Sequence, residues 1–237
     1  SYNNQSNPSS FYSVGASSCF LGGFSCNRRI TIDSTKVGGS SDLTDFPLYL
    51  RIQNDCNLKS AANGGTVQNS SGWDIIFVDS DGVTQLDHEI EDYDGTNGDL
   101  TAWVKIPTLP YNSDKDIYMY YGKSGLACDP SNPTGVWSNN YRGVWHLSDT
   151  SGDTQDSTSY NTDGTLSGSV SRGYSSPLYN AFNFGTSGEV DWGDPGDGHL
   201  DFGTGEMTLS LWVNMDNHRG VWEQIILKGK SSWQSGY

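Results

Sequence analysis

The sequence predicts an all-β protein made of two consecutive antiparallel β-sandwich units. Three observations predict this. Apolar residues alternate with period two in several short runs, which sends successive side chains to opposite sheet faces. Clusters of Asp, Asn and Gly punctuate the runs, and these residues tolerate the positive φ of tight turns. No stretch has sustained helical periodicity, and the 29 glycines suit a chain rich in turns.

Residues 1–27 read as a polar N-terminal arm. It is either a flexible linker or an arm that adds a strand to a neighbouring subunit through Phe11, Tyr12 and Val14. Cys19 and Cys26 flank FLGGFS, whose two glycines let the chain fold back into a small disulfide loop. With Cys56 and Cys128 there are 4 cysteines, which allow three pairings. The expected pairs are Cys19–Cys26 and Cys56–Cys128. A metal role is disfavoured, because the cysteines form no C-x-x-C pair and the histidines are isolated. A disulfide framework implies an oxidising compartment, hence an extracellular or cell-surface location.

Residues 28–135 form the first expected sandwich. RRITID (Arg28 to Asp33) is its first strand and FPLYLRI (Phe46 to Ile52) its second, with Pro47 marking a strand end or sheet edge. Asn54 to Ser71 is a polar loop. Asn69-Ser70-Ser71 in that loop and Asn4-Gln5-Ser6 in the arm are formal N-glycosylation acceptors. From Trp73 to Tyr121 the alternation is clearest. Ile75, Phe77 and Leu86 open it; Ala102, Val104 and Ile106 continue it; Ile117, Met119 and Tyr121 close it. We expect these runs to form an antiparallel meander at the sandwich centre.

The ordered blocks here resemble a bacterial and archaeal family known as domain of unknown function 2341. The blocks are RITID, FPL, DIIFVDSDG, LDHEIE, AWVKIP and IYMYYG, between Arg29 and Gly122. The resemblance carries no activity with it. It implies a secreted or surface-anchored protein in which a laminin-G-like, concanavalin-A-like jelly roll follows.

The boundary is expected near residue 135, after a run of Gly and Pro punctuation. Residues 136–237 then resemble the N-terminal portion of such a jelly roll: GVWHL, DSTSYNTDGTL, AFNFG, GEVDW, MTLSLWVNM and EQIILKG in succession. In TLSLWV, Leu209, Leu211 and Val213 share one face. A complete jelly roll needs about a dozen strands, more than these blocks supply. We therefore expect that further sequence, or another chain, completes the second sheet.

Charge narrows the partners. Acidic residues number 28 against 13 basic ones, a net charge of −15. That field repels phosphate backbones and argues against nucleic acid, and no run of about 20 apolar residues is present to span a membrane. A glycan, a surface protein and copies of the chain itself remain as partners.

Three groups of residues carry candidate chemistry. Glu89 and Glu91, two apart on a strand, share a face, as paired carboxylates for glycoside hydrolysis would. The plainer alternative is a solvated face, or ion pairs with Arg or Lys. Calcium, which takes six to eight oxygens, is the candidate cofactor, with Asp153, Asp156, Asn161 and Asp163 as ligands. Asp79, Asp81 and Gly82, and Asp191, Asp194 and Asp197, are further acidic turns. Trp137, Tyr141 and Trp192 are the aromatics least clearly committed to a core and the candidates for stacking on a sugar. His146 and Asp149 flank a strand end, with no nucleophile identifiable. The expected function is a non-catalytic binding or adhesion module for glycan or protein surfaces. The alternatives are a structural subunit of a filament or surface layer, and a glycosidase.

Overall fold

The computed structural model describes residues 11–15, 18–19, 23–215 and 225–228. One compact unit runs as far as Asp201 and a second begins at Phe202, so the division expected near residue 135 falls inside the first unit. The described residues are nearly all strand, turn or irregular chain, with one four-residue α-helix, and no helix among them is long and apolar enough to cross a membrane.

Strands β1 (Tyr12–Val14), β2 (Ser18–Cys19), β3 (Cys26–Ile32), β4 (Leu43–Ile52), β5 (Ile76–Asp79), β6 (His88–Asp94), β7 (Asp99–Leu109) and β8 (Lys115–Tyr121) build a sandwich. The first sheet has the order β1-β3-β8-β5, with β2 also on β3; the second has the order β4-β7-β6. Every pairing is antiparallel. The alternation sorts as the sequence implies. Ile30, Ile32, Phe77, Ile117, Met119 and Tyr121 face in from the first sheet; Leu48, Leu50, Leu100, Ala102, Val104 and Ile106 face in from the second. Together they make one core.

The expected meander is corrected. β6 and β7 are neighbours, but β5 and β8 pair with each other in the opposite sheet. Connection length explains the difference. Gly95 to Gly98 close a tight hairpin between β6 and β7, with Gly98 N–H donating to Asp94 O at 2.8 Å. The chain between β5 and β6, and the Pro110-bearing chain between β7 and β8, are long enough to cross from one sheet to the other.

Part of the N-terminal arm is ordered rather than a linker. Tyr12, Ser13 and Val14 lie opposite Ile32, Thr31 and Ile30 of the same chain. The Tyr12 hydroxyl donates to Arg51 O and accepts from Arg51 N–H, both at 2.8 Å, so it ties β1 of the first sheet to β4 of the second. Asn4 and its acceptor motif lie outside the described residues. Cys19 and Cys26 are register partners on adjacent strands. The Cys56–Cys128 pairing is overturned: both thiols are exposed and unjoined. Asp55 N–H donates to Gly98 O beside one end of β7. Cys128 precedes Pro130 and Asn132, which bind Gln85 and His88 near Val104. Gly98 and Val104 are six positions apart, about 20 Å along a strand, which is far beyond disulfide reach.

After β8 the chain forms helix α1 (Pro133–Val136), β9 (Thr165–Ser167), β10 (Val170–Ser176), β11 (Tyr179–Phe184) and β12 (Glu189–Asp191). β10 pairs with β11 and β9 with β12, as two-stranded ribbons. GVWHL, expected as a strand, is irregular. So is MTLSLWVNM in the second unit, where Leu209, Leu211 and Val213 stand 46–55% exposed.

Candidate functional site

Residues 133–163 cover the outer face of the second sheet. In an antiparallel sheet with one buried face, the other ordinarily meets water. Here Tyr49, Trp103 and Glu89 form a cross-strand row on that outer face, and the chain after α1 lies over it. Lys105 Nζ donates to Gly135 O at 3.1 Å and Ser138 Oγ at 3.0 Å, fixing the start of the cover.

A β-bulge sets the geometry beneath. Ile90 lies opposite Ala102, but Asp92 lies opposite Thr101, so Glu91 is the extra residue. A bulge of this kind resets the alternation. Glu89 and Glu91 both face outward, while Tyr93 turns back to pack on the core and donates its hydroxyl to Leu58 O at 2.8 Å.

The two glutamates are sealed, with side chains only 12% and 5% exposed. Glu89 Oε2 accepts from Trp137 Nε1 at 2.7 Å and lies 3.2 Å from His146 Nε2. Its Oε1 accepts from Ser157 Oγ at 2.6 Å. Glu91 Oε2 accepts from Trp103 Nε1 at 2.8 Å and lies 3.7 Å from His146 Nδ1. The His146 ring stacks on Trp103, centroids 5.5 Å apart, and tilts against Trp137 at 5.8 Å.

Electrostatics follow from this packing. Burial disfavours the His146 cation, but the hydrogen bond and charge of Glu89, helped by Glu91 and Asp149, outweigh it and raise the pKa above the ordinary histidine value. Burial pushes Glu89 up, yet His146, Ser157 and Trp137 hold its carboxyl below the usual range. For Glu91 burial wins over His146, Trp103 and Ser148, and the carboxyl is raised. Neither the solvated face nor the Arg or Lys pairing expected of these glutamates is present; their basic partner is His146. Ser157 and His146 both bind Glu89, so they form no nucleophile–base relay of the kind acyl transfer uses.

The candidate sugar-stacking aromatics fall in three different settings. Trp137 is buried, with Trp103, Tyr141 and His146 against its ring. Tyr141 meets the Trp137 ring edge-on at 5.1 Å and lines an open groove of about 380 Å³ with Asp42, Asp45, Phe46 and Asn139. Trp192 is part-exposed and rests on Trp145, centroids 4.8 Å apart. It lines a second open groove, of about 540 Å³, with Tyr160, Asp163, Asp194, Asp197 and His199.

The candidate calcium ligands do not converge. The Asp156 carboxylate accepts from Val144 N–H, Thr158 N–H, Thr158 Oγ1 and Thr162 N–H at 2.9–3.0 Å. Four donors make it a loop pin and leave little room for a cation. Asp163 caps Asp156 N–H at 2.9 Å, while Asp153 and Asn161 are exposed. Asp81 binds Val83 and Thr84, and Asp197 binds His199. No group of three His, Cys, Asp or Glu side chains among the described residues is placed to hold a metal.

Sequence reading paired Glu89 with Glu91 and named His146 apart from them, and did not join the two. His146 and Ser157 lie 57 and 68 residues beyond Glu89, and no local pattern signals a contact at that range. Ser157 had no signal at all.

Residues 71–163 match a family model described as domain of unknown function (DUF2341). The match takes in the blocks from DIIFVDSDG to IYMYYG and continues through His146 and Ser157. Both halves of the buried cluster therefore lie within it. RITID and FPL precede it. No curated protein and no solved structure matches the chain.

Proposed function

We propose that this chain is a non-catalytic, secreted or surface-displayed module that binds glycan in the groove lined by Trp192. The observation that carries the reading is the position of Trp192. One side of its indole is backed by Trp145, and the side chain is part-exposed in an open groove with Asp163, Asp194 and Asp197. An indole face stacks on the C–H face of a sugar ring, and carboxylates accept hydrogen bonds from its hydroxyls. The pair of acids spaced for hydrolysis lies instead beneath residues 133–163, with protein donors on its oxygens. The register that sets Cys19 opposite Cys26, as a disulfide between neighbouring strands needs, supports an extracellular place.

A glycan array probed with the full chain tests this. Retention that is lost in Trp192→Ala, with an unchanged unfolding midpoint, is the expected result. No retained glycan ends the reading, and polysaccharide hydrolysis that falls in Glu89→Gln replaces it with a glycosidase. The rival reading is a filament or surface-layer subunit assembled by strand exchange. It is favoured by the exposed apolar side chains of Met207 to Met215, which have no strand partner among the described residues. Electron microscopy of native material separates the two: regular fibres favour the subunit.

A further inference from the structure

We propose that His146, held between Glu89 and Glu91, is a proton-operated clasp that fastens residues 133–163 over the second sheet and loosens as the imidazolium loses its proton. It does not rest on the glycan reading, although Tyr160 and Asp163 belong both to the cover and to that groove. The argument begins with what the cover rests on. A bare apolar contact would hold it at any pH. Here the cover meets Trp103 through the rings of Trp137 and His146, but it meets Glu89 and Glu91 through polar atoms: Trp137 Nε1, Ser157 Oγ and both ring nitrogens of His146.

A neutral imidazole has one N–H and one lone pair, whereas the cation has two N–H groups. Both His146 nitrogens face carboxylate oxygens, at 3.2 and 3.7 Å. Only the cation presents an N–H to each carboxylate, as a hydrogen bond to Glu89 at 3.2 Å and an ion pair with Glu91 at 3.7 Å. Loss of the proton turns one nitrogen lone pair toward an oxygen and leaves two buried carboxylates near each other without a cation. Among the described residues, the groups facing His146 include no other positive charge: Glu89 and Glu91 come from β6, Trp103 from β7, and Trp137 and Asp149 from the cover itself. Lys105, the nearest cation on β7, is engaged with Gly135, Ser138, Asp45 and Asp87.

The sign follows from linkage. Because the closed form raises the His146 pKa, closure binds a proton more tightly than opening does. The stabilisation is therefore full below the ordinary histidine value of about 6.5 and is lost as pH rises to the raised value. Across that window the opening constant grows by up to about tenfold per pH unit. The Glu89 carboxyl, held low, sets the opposite limit: its share is present above the ordinary carboxylate value and lost as pH falls through the depressed one.

The experiment uses the full chain. Backbone hydrogen exchange of residues 133–163 is followed from about pH 6 to about pH 9, after correction for intrinsic exchange, alongside the NMR titration of His146. Protection of the cover is expected to fall by about tenfold or more while protection of β3 and β8 holds, and His146 is expected to titrate above 6.5. Glu91→Gln should lower that titration point, and His146→Gln should remove the pH dependence. Unchanged protection of the cover across the range, a His146 titrating at or below 6.5, or a transition that survives in His146→Gln overturns the proposal. If His146→Gln does not fold, the wild-type titration and exchange decide alone.

Discussion

Two stretches carry the same alternation and meet opposite fates. Ala102, Val104 and Ile106 are fully buried, whereas Leu209, Leu211 and Val213 stand about half in solvent. The difference lies in the partners. β7 has β4 on one side and β6 on the other, with the first sheet across the core. Residues 206–215 belong to a separate unit and have no strand assigned. Period-two patterning describes a surface that suits a sheet; burial requires a second surface to meet it.

The sharpest way to break the comparison is one charge in each stretch. Val104→Asp places an unpaired carboxylate in the core and should cost about 4 kcal/mol or more, while Leu211→Asp should stay within about 0.5 kcal/mol. Urea unfolding of both variants checks this. An equal loss from Leu211→Asp would show that the stretch is buried in solution.

A smaller effect tests the hairpin that fixes the register of β6 on β7. Gly98 has φ +77°, and a Cβ there would lie 2.0 Å from Asp55 O. Gly98→Ala should cost about 2 kcal/mol or more through left-handed strain and the clash. Gly82, also at positive φ (+74°), has nothing within 4 Å, so Gly82→Ala should cost only the strain, about 1 kcal/mol. Paired thermal melts read the difference. The smallest effect concerns the arm: Tyr12→Phe removes the hydroxyl that binds both backbone groups of Arg51 and should cost about 1 kcal/mol. An unchanged melting temperature would place the arm outside the cooperative unit.

The sequence by itself determined the strand periods of the sandwich and the tight hairpin at Gly95 to Gly98. It also marked the pairing of Glu89 with Glu91. All of these are local, set by side-chain alternation and by residues that tolerate positive φ. Only the tertiary structure decided that β5 and β8 share a sheet, that Glu91 is a bulge residue, and that Cys56 and Cys128 lie far apart. It alone decided that the outward glutamates are roofed by Trp137, His146 and Ser157. These depend on which surfaces meet across dozens of residues, and that choice follows the packing energy of the whole assembly. A run of alternating residues contains only one side of each contact.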